Sequence, residues 1–420
     1  MTSQADARRA AAAVSEARLW SRLMALAEIG ARPDGGVDRP ALSAADIAAR
    51  RQLLAWAEAC GYRALVDPAA NLFLRRHGRD PNADPIVAGS HLDSQPAGGR
   101  FDGAYGVLAA LEVLEALDDA AIATDRPIEV VAWTNEEGCR FAPGAMGSAL
   151  FTGERQLTDC LEIHDLEGVR LADALSATLA ATPDLERRQF EFPLAAYLEP
   201  HIEQGPALEA AGVPIGVVTG IQGARWYEVE VTGEEAHAGT APLAGRHDAL
   251  LAAIAAIQAL QRLMADPADL VRFTVGRLLV EPNSPNTVPA RVSFSIDFRH
   301  PDQAILDRLG DRIAATAEAA ATPCALSVRE IFYREPCVFP DLITGAIARA
   351  AQALDLPSLR LASGAFHDAN FLADVCPTGM IFVPCAKGIS HSPKESARPA
   401  DLAAGARVLA ATIVELAGLD

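Results

Sequence analysis

No Lys/Arg block in this chain is dense enough to follow a phosphate backbone. With 36 basic against 55 acidic residues its formal charge is −19, which makes nucleic acid and anionic membrane poor partners. No uninterrupted apolar run approaches the ~20 residues needed to cross a bilayer, and no short apolar core with a small-residue cleavage site opens the chain. The expectation is a cytoplasmic protein. Its seven cysteines (Cys60, Cys139, Cys160, Cys324, Cys337, Cys376 and Cys385) form no CxxC pair and no regular framework. That pattern speaks against a zinc finger or a disulfide scaffold and for buried thiols in a reducing compartment. Internal repeats and low-complexity linkers are also missing.

What is present is length and apolar content: 420 residues, half of them hydrophobic, more than one compact core usually spans, so two domains are expected. Ala5 to Ile29 is Ala-rich with apolar residues at helical spacing, and a second helix is predicted from Ser43 to Cys60. Ile86 to His91 is a short apolar run ending in polar residues. A glycine-rich loop through Gly98, Gly99 and Gly103 follows, then a helix marked by Val107, Leu108, Leu111 and Leu114, then the apolar strand Ile128 to Thr134. Strand, helix and strand in this order make a βαβ unit, and open α/β sheets collect ligands at the carboxyl ends of their strands. His91 and the pair Glu136 and Glu137 fall at such ends.

From about Ile215 to Arg329 the texture changes to alternating strands around one long helix, Asp248 to Leu263. In Arg291 to Arg299, period two puts Val292, Phe294, Ile296 and Phe298 on one face and Asp297 and Arg299 on the other. This predicts a small α+β domain, 215–329, inserted into a larger α/β domain, 1–214 and 330–420. The chain then returns to the main domain with a strand at Met380 to Val383, the loop Gly388 to Pro393 and a final helix, Leu402 to Leu416.

Five separated segments suggest a metal site: His91, Asp102, Glu137, His201 and His391. Taken singly, a loop His or Asp is a surface or cap residue. Gathered at strand ends they would bury charge at several kcal/mol per ion unless a metal or partners compensate. Asp93, two residues after His91 on one side of an extended chain, is expected to accept the second imidazole N–H of His91 and fix its tautomer.

The segments SHLDS (90–94), GGRFDG (98–103), TNEEG (134–138), EPHIEQGP (199–206), AHAGT (236–240), NTVP (286–289), DFRH (297–300) and GISHSPKE (388–395) resemble the amidase branch of the dinuclear metallopeptidase M20 superfamily. That branch contains N-carbamoyl-L-amino acid hydrolases, allantoate amidohydrolases and β-ureidopropionases. The resemblance implies a zinc-peptidase-like α/β/α catalytic domain with an inserted ferredoxin-like lid that also pairs two subunits into a homodimer. It further implies two divalent ions (Zn²⁺, Mn²⁺, Co²⁺ or Ni²⁺) bridged by Asp102, one also held by His91 and His201, the other by Glu137 and His391. Glu136 would be the general base, the alternative being a further metal ligand. His237, Asn286 and Arg299 would contact a ureido-acid substrate, with Arg299 gripping its carboxylate; the alternative for Arg299 is an exposed strand residue paired with Asp297. Gln204 would orient the ureido amide, and the loop carrying Gly364 and His367 would lie near the carboxylate.

Two departures touch segments expected to line the pocket. Relatives often read HAGTTPM and SGAGHDA where this chain has Ala241 with Leu243, and Phe366. A Phe in place of Gly either sends its ring into core or reshapes the pocket. The implied reaction is cleavage of the carbamoyl C–N bond of an N-carbamoyl-L-amino acid, with allantoate or a β-ureido acid as the alternative substrate. An aminoacylase or dipeptidase is disfavoured by His201, where peptidase relatives usually carry a carboxylate. A non-catalytic metal-binding scaffold is disfavoured by Glu136.

Overall fold

The computed structural model describes residues 4–418, which divide into two units at Thr219/Gly220 and Val338/Phe339. In the larger unit a ten-stranded mixed sheet is built on four parallel neighbours: Thr378–Val383, Ala196–Ile202, Ile86–His91 and Ile128–Trp133. Every residue of these four strands is buried, as expected for parallel strands covered on both faces. Antiparallel strands continue the sheet, Leu72–Arg76 beside Ile128–Trp133 and Ile215–Ile221 beside Thr378–Val383.

Helices Gln4–Ala13, Glu16–Ala27, Ala104–Asp119 and Pro399–Leu416 pack on one another around Leu19, Leu23, Leu108, Leu111, Leu409 and Ile413. The Ala-rich N-terminal run, expected as one helix, is two. Ser15 separates them, because its Oγ caps the second helix by accepting from the Arg18 N–H at 3.2 Å while its own N–H donates to the buried Glu112 carboxylate at 2.6 Å.

The smaller unit, Gly220–Val338, carries a five-stranded sheet in which Gly223–Thr232 lies between Arg291–His300 and Ala325–Arg334, all antiparallel. Tyr227, Val229, Val231, Val292, Phe294, Ile296 and Phe298 bury one face against helices Ala249–Leu263 and Ile313–Ala321. This is the α+β arrangement that the alternation predicts.

The two borders differ from the sequence-based 215 and 329. Ile215–Ile221 is almost wholly buried and registers Met380 opposite Val218 and Phe382 opposite Gly216, so it is a strand of the large sheet. Ile215, Val217, Val218 and Ile221 account for that burial, Thr219 being the residue left half-buried. Arg329 lies in the middle of Ala325–Arg334, whose pairing with Gly223–Thr232 carries the small unit further.

Candidate metal centre

Strand ends and glycine loops of the larger unit bring together the predicted ligands. His91 closes its strand, and its imidazole lies where Gly103, at φ 62°, would otherwise place a Cβ 2.4 Å from the ring. Gly103 is thus required both by its left-handed backbone and by the close approach. Asp102 precedes it, held at the entrance to helix Ala104–Asp119. Three further residues of the site have left-handed backbone without being glycine: Asn135 (φ 57°), Gln204 (φ 56°) and His391 (φ 52°).

Asp102 is the hub. His201 Nε2 lies 3.1 Å from its Oδ1, His391 Nε2 lies 3.1 Å from its Oδ2, and His91 Nε2 lies 3.9 Å from Oδ1. Glu137 Oε2 is 3.4 Å from His391 Nε2, and Glu136 Oε2 is 3.5 Å from His91 Nε2. The donor atoms of His91, Asp102 and His201 lie within 4.8 Å of one another, as do those of Asp102, Glu137 and His391. Both inner imidazoles direct Nδ1 at a backbone carbonyl, His91 at Asp93 O and His201 at Ile202 O, each at 2.9 Å. Their Nε2 atoms therefore face the cluster, the tautomer that a metal-binding imidazole needs.

Asp93 differs from expectation. Its backbone carbonyl, not its carboxylate, receives His91; the carboxylate oxygens each accept a loop N–H, from Glu136 and Glu137, at 3.2 Å. The loop amides compete better because they present two donors to one carboxylate, so Asp93 orients the glutamate pair. Gln204 donates its amide to Asp102 Oδ2 at 3.1 Å and to Ser390 Oγ at 3.2 Å, leaving its Oε1 buried without a partner. His367 is buried with its Nε2 on Ser363 Oγ at 3.0 Å and its ring against His201, centroids 4.6 Å apart; Gly364, between Ser363 and Ala365, is exposed. The Phe366 ring turns into a small apolar cluster with Ala145, Ala149 and Phe371.

In the smaller unit, the short ribbon Ala236–His237 with Thr287–Val288 sets His237 opposite Thr287, and the Ala238 N–H donates to the Asn286 carbonyl. His237 Nδ1 accepts from the Gly239 and Thr240 N–H groups at 3.1 and 3.2 Å, so the proton sits on Nε2. Asn286 Oδ1 accepts the Ser284 hydroxyl at 2.9 Å. Arg299 is gripped by Asp297 through Nε at 2.9 Å and Nη2 at 2.8 Å.

Several residues of the larger unit had no role assigned from sequence. Gln95 holds both oxygens of Glu137, through its backbone N–H at 3.1 Å and its amide at 2.8 Å. Glu199 accepts from Ser90 Oγ and the Ala369 N–H; it shares a strand face with His201 by period two, a signal that was available. Glu395 accepts from the Phe101 and Asp102 N–H groups and from Ser390 Oγ.

The residues fit a cation. Burial, then the charge of Asp102, pushes Glu137 up to about 8, and burial with Asp368 and Glu137 holds Glu136 well above the carboxylate range. Burial works against ionisation of Asp102 too, but hydrogen bonds from His201 and His391 win and keep it well below its ordinary value. Burial alone would lower His201, yet Asp102 outweighs it and carries the imidazole up to about 9; burial takes His91 down to about 4. Carboxylates crowded into a buried volume, with imidazole Nε2 atoms facing the same point, are relieved by a positive ion of the class that binds mixed N/O donors.

An α/β sheet that gathers imidazoles and carboxylates at its strand ends in this way has the donor set of a metal-binding site. The family model "Peptidase family M20/M25/M40" matches residues 87–415, and the chain belongs to that family. The N-carbamoyl-L-amino-acid amidohydrolase of Rhizobium meliloti is 40% identical over 409 residues, 96% of this chain and 97% of the relative. The allantoate amidohydrolase of Bacillus subtilis is 34% identical over 394 residues, covering 93% and 95%. A crystal structure of an amidase of the hydantoinase/carbamoylase family from Burkholderia multivorans superposes with a TM-score of 0.89 at 45% identity, covering 96% of this chain and 98% of that one. The chain is accordingly a hydrolase of amide C–N bonds.

Proposed function

We propose that the chain hydrolyses the carbamoyl C–N bond of an N-carbamoyl-L-amino acid, releasing ammonia, carbon dioxide and the amino acid. The observation that carries this reading is the Asp102 carboxylate, with His201 on one oxygen and His391 on the other, both at 3.1 Å. It sits in a chain related along nearly its whole length to an enzyme named for that reaction. His91, Asp102 and His201 would hold one divalent ion, and Asp102, Glu137 and His391 a second, with Zn²⁺, Mn²⁺, Co²⁺ or Ni²⁺ as candidates. When bound, such ions polarise a carbonyl oxygen and acidify water.

The residues supply the rest. Glu136 takes the proton of the attacking water and passes it to the departing nitrogen, a task suited to a buried carboxylate of raised proton affinity. His237 Nε2–H donates to the developing oxyanion, and the Asn286 amide adds a donor. The unpartnered Oε1 of Gln204 is an acceptor for a ureido N–H. Arg299, oriented by Asp297, pairs with the substrate carboxylate, and the loop at Gly364 and His367 flanks it. Ammonia release from a panel of N-carbamoyl-L-amino acids in the presence of Mn²⁺, Co²⁺ or Zn²⁺ tests the substrate. Release from allantoate alone would replace the carbamoyl-amino acid by the second substrate class.

Arg299→Ala should lower kcat/KM roughly 10- to 100-fold, mainly through KM, because a charged hydrogen bond contributes ~1.5–3 kcal/mol. Metal content should stay unchanged, and steady-state kinetics with metal analysis checks both.

A homodimer formed through the inserted unit is also proposed. Support comes from its edge strand Ala325–Arg334, with Ile331 and Tyr333 exposed, and from Leu251 and Ile254 exposed on helix Ala249–Leu263. Light scattering at micromolar concentration should give twice the chain mass; a fully active monomer would remove the claim. Among the described residues no helix is long and apolar enough to cross a membrane, which is compatible with a cytoplasmic location.

A further inference from the structure

Glu395 touches none of the donor atoms proposed to bind metal, yet it joins the two loops that carry them. Its Oε1 accepts the Phe101 N–H at 2.8 Å and the Asp102 N–H at 3.2 Å, across almost three hundred residues of chain. Its Oε2 accepts Ser390 Oγ at 2.8 Å, one residue before His391. The carboxylate is buried and occupies the space that a Cβ on Gly99 would need, 2.0 Å from that position. Gly99 is therefore the residue that admits it.

The Ser390 hydroxyl has one proton and two acceptors within reach, Glu395 Oε2 at 2.8 Å and Asp102 Oδ2 at 3.2 Å. Gln204 Nε2 already donates to Ser390 Oγ and to Asp102 Oδ2. A hydroxyl can donate once, and the shorter contact points it at Glu395. Asp102 Oδ2, the oxygen facing His391, is thereby spared a further donor beside the Gln204 amide.

We propose that Glu395 is a positioning residue for the metal centre: it clamps the Asp102 loop to the His391 loop and draws the Ser390 proton away from the hub carboxylate. The inference rests on the metal reading above. It separates two effects that substitutions can dissect. Glu395→Ala removes both the clamp and the proton acceptor. Glu395→Gln keeps a carbonyl oxygen for the Phe101 and Asp102 amides but offers Ser390 a donor in place of an acceptor, turning its proton onto Asp102.

The experiment is competition for Zn²⁺ or Mn²⁺ against a chromogenic chelator, with bound metal counted by mass spectrometry and folding followed by circular dichroism. Outer partners of metal ligands typically contribute 10- to 100-fold in affinity. Glu395→Ala should weaken binding by about that factor, Glu395→Gln by less, and adding Ser390→Ala to Glu395→Gln should recover most of the loss. A residue that serves folding alone would not yield that recovery. Wild-type protein that binds no divalent ion would defeat the metal reading itself. Wild-type binding with folded Glu395→Ala or Glu395→Gln within twofold of it would overturn the clamp alone. If Glu395→Ala does not fold, the Gln variant with and without Ser390→Ala decides.

Discussion

Glu136→Gln should cut turnover by about 10² to 10⁴, the contribution of a positioned general base, while metal content and KM hold nearly constant. The amide matches the carboxylate in shape and keeps its place beside His91 Nε2, but it cannot accept the proton of an attacking water. The backbone reinforces this separation of roles. Asp93 fixes the Glu136 and Glu137 N–H groups on its two oxygens, and Gln95 holds the Glu137 carboxylate. The two adjacent acids therefore need not exchange tasks when one is altered. Steady-state kinetics together with metal analysis of the purified variant checks the split; equal loss of metal and turnover would make Glu136 a ligand instead.

Asp102→Ala should be more severe, taking activity to the detection limit and abolishing stabilisation by divalent ions. In the intact protein, metal at a hundredfold excess over its dissociation constant adds ~2.7 kcal/mol, equivalent to a rise in Tm of roughly 4 °C for a unit of about three hundred residues. Removing the carboxylate deprives both ligand sets of their shared member and leaves the Gln204 amide only its bond to Ser390 Oγ. Differential scanning calorimetry with and without Zn²⁺ or Mn²⁺ reads this directly, and a chelator applied to the wild type should reproduce the unstabilised trace. A variant that still gains several degrees from metal would show that the ions sit elsewhere.

The fold was legible wherever burial marks the residues themselves. Ile86–His91 and Ile128–Trp133 announce two-sided burial by their predominantly apolar runs, Glu129 being the charged exception in the second, and Arg291–His300 announces one-sided burial by its alternation. Asp248 was legible as the start of a helix because it accepts from the Leu250 and Leu251 N–H groups as an N-cap. The break at Ser15 was not, because apolar residues keep helical spacing on either side and the tie of the Ser15 backbone N–H to Glu112 reaches far along the chain. The domain borders blurred for a related reason: Ile215–Ile221 and Gly223–Thr232 are neighbouring strands with a single residue between them, and composition does not say which sheet each joins.

At the site, the ligand residues were legible as chemistry and as motifs, while their supports were not. A spacing of two brings Asp93 near His91, but which of its oxygens the ring meets depends on where the Glu136–Glu137 loop presents its amides. Glu395 lies inside the segment GISHSPKE, yet its partners Phe101 and Asp102 belong to another loop, so nothing local distinguishes it from a solvent-facing glutamate. Phe366 was legible as a departure whose outcome was open; the Phe371 ring, 5.5 Å away, receives it.

The left-handed backbone at Asn135, Gln204 and His391 has a practical corollary. These turns are imposed by the surrounding protein scaffold, with Asn135 Nδ2 tied to the Phe141 carbonyl at 2.7 Å and Gln204 tied to Asp102 and Ser390. Bonds within the protein thus hold these turns independently of any bond to an ion. Such a receptacle should be interchangeable in its contents: chelator-stripped protein should keep its near-ultraviolet dichroism and accept one transition ion after another without refolding. The choice of ion would then fall to cellular supply.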